Sequence, residues 1–210
     1  MKIHDISQVI KVGIPVWPGD SAFTIERTWM LDMECPVNVS KLTLSTHTGT
    51  HADAPLHYGS GGADIAEVSL KPYIGKAYVV DARAAGALIE PQHIENQLPD
   101  VVERVLVRTF EDYPHDAWPD NFSAFHPDTI DMLAQKGCLL VGVDTPSVDP
   151  ESSKDLPSHN AIKNHKMAIL EGLVLDAVEV GSWELIALPL KIAEGDASPV
   201  RAILREWPCD

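Results

Sequence analysis

Short apolar segments separated by prolines constrain the fold of this chain more than any other feature. Eight segments have the β-branched, aromatic or continuously apolar composition of strands. They are residues 23–29, 37–46, 76–81, 104–108, 139–144, 173–178, 183–188 and 200–204. The six later segments are more continuously apolar, which is typical of strands that are covered on both faces. The 16 prolines among 210 residues are spread along the chain and mark no single hinge.

Three stretches between the strands have helical character. Segment 128–136 places apolar residues on one face and is followed by Gly137, a residue that favours the end of a helix. Segment 91–98 has a proline in its first turn, and segment 157–168 carries apolar residues at helical spacing. We therefore predict an α/β fold with a mixed sheet, formed by a single domain over residues 1–210.

The charge balance excludes several classes of partner. The chain carries 16 Lys and Arg against 31 Asp and Glu, which gives a formal net charge of −15. Such a charge disfavours binding to nucleic acid or to an anionic membrane surface, but it does not oppose metal cations. The apolar runs are also far shorter than the roughly 20 residues that span a bilayer. We predict neither a nucleic-acid partner nor a membrane partner.

The cysteines and the first residues indicate a cytoplasmic protein. Cys35, Cys138 and Cys209 are odd in number and far apart, and no pair forms a CxxC motif. This pattern argues against a disulfide framework and against a cysteine zinc site, and it favours a reducing compartment. The chain also starts without the apolar core of a signal peptide.

Segment 47–57 concentrates residues that bind metals and transfer protons. His47 and His51 are four residues apart, but a helix is disfavoured because residues 48–50 are Thr-Gly-Thr and because Pro55 follows. A turn at residues 48–49 would instead bring His47 beside His51. In an extended chain, His51 and Asp53 point to the same side. Two imidazoles and one carboxylate form a suitable ligand set for a divalent transition metal.

Further residues are needed to complete such a site. A bend at Pro55 would return His57 towards the cluster, as a ligand or as a proton-transfer group. His159 and His165 follow a buried-type strand that ends in a polar loop, and the residues alone do not decide between them. Glu171 lies at the mouth of the predicted apolar strand 173–178, where it is either a ligand or an exposed turn residue.

The letters HTGTHADAPLHY at residues 47–58 resemble the HxGTHxDxPxH signature of the cyclase-like metal-dependent hydrolases. Segments WPGD at 17–20, GVD at 142–144 with SVDP at 147–150, and ALPL at 187–190 with DASPVR at 196–201 resemble the bacterial kynurenine formamidase branch of that family. The resemblance extends over nearly the whole chain. It implies an α/β fold of the swivelling β/β/α type and a homodimer. It also implies hydrolysis of a small molecule, N-formyl-L-kynurenine, to L-kynurenine and formate.

The resemblance further implies a binuclear centre of two divalent metal ions, usually zinc, with manganese as the other candidate. His47, His51 and Asp53 match the ligands of the first metal. Asp53, His159 and Glu171 match those of the second metal, so that Asp53 bridges the two. His57 matches the proton donor and acceptor, and Trp17 matches a residue that contacts the substrate. From sequence alone, Trp17 is also compatible with a position in the core or at a dimer interface.

The chemistry of the residues agrees with this resemblance. Hydrolysis of a formamide needs an activated water and stabilisation of the oxygen that becomes negatively charged, and a metal pair supplies both. The chain has no GxSxG motif, so the serine nucleophile of an unrelated class of hydrolases is absent. Two other hypotheses remain open. One is a hydrolase of the same family that acts on isatin-like lactams or another aryl amide, and the other is a metal-binding protein without turnover.

Overall fold

The structure is a computed structural model that describes residues 2–206. The described part contains thirteen strands, named here in chain order. They are β1 (Ile3–Asp5), β2 (Thr24–Trp29), β3 (Val39–Thr43), β4 (His51–Asp53), β5 (Ile74–Asp81), β6 (Leu88–Ile89), β7 (Arg104–Arg108), β8 (Ala124–Phe125), β9 (Leu140–Val143), β10 (Ala168–Glu171), β11 (Gly181–Ile186), β12 (Ala197–Pro199) and β13 (Ile203–Glu206). Cys209 and the rest of 207–210 lie outside the described residues.

Four short α-helices and two 3₁₀ turns connect these strands in the described part of the chain. The helices are α1 (Pro55–Tyr58), α2 (Pro91–Ile94), α3 (Pro127–Gln135) and α4 (Pro157–His165). The 3₁₀ turns are Lys71–Tyr73 and Glu95–Gln97. Every α-helix has a proline in its first turn. Proline is tolerated there because the N–H groups of the first turn have no acceptor within the helix. None of the helices within residues 2–206 is long and apolar enough to cross a membrane.

Nine strands form one mixed sheet in the order β1-β13-β11-β5-β7-β9-β10-β4-β12. The pairs β5–β7, β7–β9 and β9–β10 are parallel, and the remaining pairs are antiparallel. The α/β class with a mixed sheet is therefore confirmed. Strands β7 and β9 are buried along almost their whole length, as expected for continuously apolar strands that are covered on both faces.

Apolar clusters cover both faces of this sheet. One cluster packs α2, α3 and α4 against the central parallel strands, with Ile94, Ile130, Leu133 and Ile162 fully buried. The other cluster joins residues from opposite ends of the strand order, such as Ala52 of β4 and Leu204 of β13. Strands at the two ends contribute to the same cluster only if the sheet curls, so the sheet encloses its own core on that face.

The predicted strand at residues 173–178 is wrong. Strand β10 lies immediately before it, and Gly172 at φ +63° turns the chain out of the extended conformation. Leu173 and Leu175 are fully buried, but this segment donates hydrogen bonds to separate loops and strands. The helix predicted over 157–168 also ends early, because Lys166 adopts a left-handed conformation after His165. The apolar composition at 173–178 correctly predicted burial, but it did not predict the hydrogen-bonding pattern of the backbone.

Of the predicted strand at 200–204, only Ile203 and Leu204 lie in a strand, β13, because β12 ends at Pro199. Strands β1, β4, β6, β8, β10 and β12 were not predicted. Strands β2 and β3 form a separate antiparallel hairpin whose residues are nearly all exposed. Trp29 and Leu31 are 60% exposed and Met33 is fully exposed on this hairpin, so it presents a large apolar surface.

Candidate metal centre

The turn before β4 brings His47 back against His51. Thr48 N–H donates to the Ser45 carbonyl (3.1 Å), and Gly49 adopts φ +69°, a conformation that favours glycine. The imidazole centroids of His47 and His51 are 4.9 Å apart, edge to face. The turn expected from the Thr-Gly-Thr sequence therefore exists, and it folds the first histidine onto the second.

Strand β4 presents His51 and Asp53 on one face, as the two-residue spacing predicts. Asp53 Oδ1 lies 3.1 Å from His47 Nδ1 and 3.4 Å from His51 Nε2. The side chains of His51 and Asp53 are almost completely buried, whereas that of His47 is 19% exposed. Three possible ligand atoms from one short segment thus surround a common point.

Two distant elements complete the cluster through the sheet and through α4. In the β10–β4 pairing, Glu171 is directly opposite His51, and its Oε2 lies 3.3 Å from His51 Nε2. In α4, His159 places its Nε2 3.5 Å from Asp53 Oδ2 and 3.9 Å from Glu171 Oε1. His165 instead pairs with Asp131 at the surface. The structure therefore selects His159 over His165 as the partner of Glu171.

Each of the three histidines has its second ring nitrogen held by an acceptor. His51 Nδ1 lies 2.9 Å from the Gly49 carbonyl, and His159 Nδ1 lies 2.7 Å from Asp149 Oδ2. His47 Nε2 lies 3.1 Å from Asp196 Oδ2. Metal-binding histidines are oriented in this way, because a hydrogen bond to one nitrogen leaves the other with a free lone pair.

The inward-facing atoms have no hydrogen-bond partner within the described residues. They are His51 Nε2, His159 Nε2 and both carboxylate oxygens of Asp53. Leaving four such buried atoms without partners is costly, so their convergence points to a ligand. Ligands about 2.1 Å from one tetrahedral zinc ion are about 3.4 Å from each other, close to the 3.1–3.5 Å separations of the pairs formed by Asp53. The residues present fit divalent metal ions.

The pKa shifts within the cluster favour a positive charge next to its carboxylates. Burial by itself raises the pKa of Asp53, but the three neighbouring imidazoles outweigh burial and hold the pKa well below its usual range. Burial lowers the pKa of His51, whereas the nearby carboxylates of Asp53 and Glu171 raise it to about 10. The pKa of His159 is also raised to about 10, since its hydrogen bond to Asp149 and the nearby Asp53 carboxylate outweigh its burial. A divalent cation supplies the same positive charge once the imidazole protons leave.

His57 stands at the open side of this cluster. Helix α1 begins at Pro55 and turns the chain back, so that the His57 ring lies 4.2 Å from the His47 ring, centroid to centroid. A ring nitrogen of His57 lies within 4.8 Å of ligand atoms of Asp53 and His159. The His57 side chain is 34% exposed, far more than that of His51 or His159. It is therefore accessible to a molecule that approaches the cluster from solvent.

Comparison with known proteins places the chain in a family. The family model described as "Putative cyclase" matches residues 4–150. A kynurenine formamidase of Maricaulis maris (strain MCS10) is 51% identical over 207 residues, which cover 99% of each chain. This chain belongs to the cyclase family.

Solved structures share the fold of this family member. A potential metal-dependent hydrolase with cyclase activity superposes with a TM-score of 0.82 at 29% identity, over 97% of this chain and 96% of that chain. Isatin hydrolase A from Labrenzia aggregata superposes with a TM-score of 0.84 at 24% identity, over 97% of this chain and 93% of that chain. At that identity, the second likeness shows a shared fold alone.

An aromatic wall and the histidine cluster line the same cavity, which has a volume of about 280 Å³. Trp17 forms part of this wall and meets Trp118 edge to face, with 5.5 Å between the ring centroids. Trp118 Nε1 donates to Glu151 Oε2 (3.2 Å), and Tyr113 lines the same cavity. The cavity is therefore suited to a flat apolar group that extends from the histidine cluster.

The structure brings all the predicted site residues to one cavity. His47, His51, His57, His159 and Glu171 line this cavity together with Trp17, and Asp53 lies buried among the histidines. Sequence reasoning missed Tyr113 and Trp118. A signal for them exists, because each is followed by proline, as Trp17 is, and a residue before proline is restricted to extended conformations.

Proposed function

We propose that this protein hydrolyses N-formyl-L-kynurenine to L-kynurenine and formate, using two divalent metal ions. The observation that carries the proposal is the convergence of unpartnered, buried ligand atoms beside an aromatic cavity. It occurs in a chain that is 51% identical, over 99% of its length, to a protein named kynurenine formamidase.

The ligands divide into two sets that share one carboxylate. His47 Nδ1, His51 Nε2 and Asp53 Oδ1 would hold the first metal. Asp53 Oδ2, His159 Nε2 and Glu171 Oε1 would hold the second. Val148 N–H donates to Glu171 Oε1 (2.8 Å) and fixes that carboxylate. Zinc is the favoured metal because imidazole and carboxylate ligands suit it, and manganese is the other candidate.

His57 is assigned to proton transfer in this mechanism. When bound, the metals lower the pKa of water towards neutrality and polarise the formyl oxygen. His57 accepts the water proton as the new C–O bond forms at the formyl carbon. It then returns that proton to the aryl nitrogen as the C–N bond breaks. One water is consumed, and the products are an aromatic amine and formic acid, which ionises to formate.

Trp17 and the residues beside it are assigned to binding the substrate. The aromatic ring of the substrate carries the amide nitrogen, so the ring must lie within a few ångströms of the metals. Trp17 lines the same cavity as the histidines and would offer its indole face or edge to such a ring. Stacking of this kind orients the formyl group without adding charge to the site.

The alternative hydrolase of an isatin-like lactam or another aryl amide shares the same catalytic requirements. The fold of isatin hydrolase A is the same, but its identity to this chain is 24%, compared with 51% for the formamidase. A substrate panel separates these activities, and a higher kcat/KM for the lactam than for N-formylkynurenine would favour the alternative.

The test of the proposed function measures formate release and metal content on one sample. Protein loaded with zinc should release formate from N-formylkynurenine, protein treated with chelator should not, and added zinc should restore the rate. His57→Ala should keep two metals per chain but lose at least 100-fold in rate, the lower range for general acid–base catalysis. A fully loaded protein that releases no formate would falsify the proposal. His57→Ala with unchanged metal content and no rate to lose would indicate a metal-binding protein without turnover.

We also infer a homodimer of single-domain chains in the cytoplasm. The exposed apolar hairpin β2–β3, with Trp29, Leu31 and Met33 accessible, supports a contact with a second copy of the chain. Cys35 and Cys138 are both free thiols, which supports a reducing compartment. A monomeric mass in light scattering at micromolar concentration would contradict the dimer. Recovery of the protein outside the cytoplasmic fraction would contradict the location.

A further inference from the structure

The segment DASPVR at 196–201 begins with a carboxylate that the proposed mechanism does not yet use. Asp196 directly precedes β12, and its carbonyl accepts a hydrogen bond from Ala54 N–H (2.9 Å). Its Oδ1 accepts a hydrogen bond from Thr46 Oγ1 (2.8 Å). Its Oδ2 lies 3.1 Å from His47 Nε2 and 3.5 Å from His57 Nδ1. One fixed carboxylate oxygen thus lies between two imidazoles of the site.

We propose that Asp196 is the positioning residue of His57: it accepts the Nδ1–H hydrogen bond and so keeps the lone pair on His57 Nε2 for proton transfer. The proposal deepens the proposed function, on which it rests. Asp196 acts on the reaction through His57 and does not touch the reacting atoms.

The geometry favours this role because the two oxygens of Asp196 have separate tasks. Thr46 holds Oδ1, which directs Oδ2 at the histidines. Within residues 2–206, no other carboxylate oxygen lies within 4.0 Å of a ring nitrogen of His57. The tautomer of a neutral histidine is set by the hydrogen bond that one of its nitrogens makes. Catalytic hydrogen bonds are often long before substrate binds, and a distance of 3.5 Å is compatible with a bond that tightens in the complex.

The position of this hydrogen decides whether His57 can transfer the proton. With hydrogen fixed on Nδ1, the Nε2 atom accepts the proton of the attacking water and later donates it to the aryl nitrogen. If the hydrogen moves to Nε2, that atom has no lone pair and the proton transfer stops. An equivalent change in a serine protease triad, aspartate to asparagine, lowers kcat about 10⁴-fold through the wrong tautomer. The effect here is expected to be smaller because the Asp196 side chain is 43% exposed.

The first experiment observes the tautomer without using activity. Nitrogen-15 NMR of the zinc-loaded protein reports which ring nitrogen of each histidine carries hydrogen, and His57→Gln identifies the signals of His57. The wild type should show hydrogen on Nδ1 of His57, and Asp196→Asn should shift hydrogen to Nε2. An unchanged His57 tautomer in Asp196→Asn would overturn the proposal, whether or not the protein hydrolyses N-formylkynurenine.

The second experiment uses two substrates that differ in how much they need a proton on the leaving nitrogen. N-formylkynurenine needs the proton, whereas formyl-4-nitroaniline releases a more stable anion and needs it less. Asp196→Asn should lower kcat for N-formylkynurenine by about 100-fold, within the range of general acid catalysis. The loss for the nitro substrate should be smaller, because that substrate still needs His57 to accept the water proton but depends less on the return of the proton to the leaving nitrogen. A general loss of structure would lower both rates equally, and that outcome would overturn the proposal.

Matched variants separate positioning from folding and from metal loading. Asp64→Asn is the control, because Asp64 Oδ2 accepts a hydrogen bond from Glu194 N–H and holds the same loop without touching either histidine. It should keep both rates and the wild-type tautomer. Thr46→Val releases Oδ1 of Asp196 and should give a smaller shift in the same direction, also where Asp196→Asn fails to fold. Metal content below two per chain in folded Asp196→Asn would show that Asp196 acts through His47 and would overturn the assignment to His57.

Discussion

Asp149 offers a direct test of how His159, a proposed ligand of the second metal, is held. Asp149 is fully buried between the strand β9 and the helix α4. Its Oδ1 accepts a hydrogen bond from Ser158 N–H (2.9 Å), and its Oδ2 accepts one from His159 N–H (3.0 Å) and lies 2.7 Å from His159 Nδ1. The helix N-cap residue Leu156 provides no side-chain cap, so Asp149 caps α4 from another segment.

The change Asp149→Asn should lower both the free energy of unfolding and the metal affinity. The amide oxygen can occupy the Oδ2 position and keep both His159 contacts, but the amide nitrogen then faces Ser158 N–H. One charge-assisted hydrogen bond is lost, at a cost of about 1.5–3 kcal/mol, and the other two become neutral and weaker. We expect a loss of about 2–4 kcal/mol in the free energy of unfolding. The weaker support for His159 should lower metal affinity about 10- to 100-fold, the usual effect of such supporting residues.

The assay is competition for zinc against a chromophoric chelator, with denaturant unfolding of the chelated protein in parallel. Ser158→Ala is the matched control, because Ser158 Oγ donates to the Phe125 carbonyl (2.8 Å) in the same helical turn. That variant should lose about 1 kcal/mol of stability and keep the wild-type zinc affinity. If Asp149→Asn binds both zinc ions as tightly as the wild type, Asp149 does not orient His159 and the reasoning is refuted.

Three further predictions follow from the described residues. In protein treated with chelator, His51 and His159 have pKa values raised to about 10, above the unfolded value of about 6.5. The stability that they contribute is present below pH 6.5 and should be lost as pH rises towards 10 in denaturant titrations, so a flat profile would contradict the charge assignment. Trp118→Ala should raise KM for N-formylkynurenine by about 2- to 10-fold, since aromatic pairs contribute about 0.5–1.5 kcal/mol. Trp118→Phe should bring KM most of the way back to the wild-type value. An unchanged KM in Trp118→Ala would show that Trp118 does not contact the substrate. Gly142→Ala should lower the unfolding free energy by about 1–3 kcal/mol in thermal melts, because its Cβ would lie 2.5 Å and 2.8 Å from two leucine side chains; an unchanged stability would show that the core yields there.

The fold was predictable where composition and hydrogen bonding agree. The apolar runs that became β5, β7, β9 and β11 pair with neighbours along most of their length, and the mixed α/β sheet is confirmed. Segment 173–178 shows the limit of this reasoning. Leu173 N–H donates to the Val143 carbonyl and Val174 N–H donates to the Ile6 carbonyl, so adjacent residues bond to different elements. Apolar composition reports burial, and it does not report which backbone groups will be neighbours.

The candidate site was predictable where its geometry is local. The two-residue spacing of His51 and Asp53 places both on one side of β4, and the turn at 48–49 returns His47. The choice between His159 and His165 was not decidable, because it depends on which face of α4 meets the sheet. Six residues correspond to about 240° around a helix, so the two side chains point in different directions, and tertiary packing selects one.

The two supporting carboxylates of the site lead to opposite expectations, which makes their roles separable. Asp149 contacts His159, a proposed metal ligand, and does not contact His57, so Asp149→Asn should weaken zinc binding while the tautomer of His57 stays unchanged. Asp196 lies between His47, a proposed metal ligand, and His57, but His47 keeps Asp53 as a second partner. Asp196→Asn should therefore change the tautomer of His57 and keep both metals. Measurement of zinc affinity and of the histidine nitrogen spectrum on both variants gives four results. Separate roles require weaker zinc binding in Asp149→Asn alone and a changed His57 tautomer in Asp196→Asn alone.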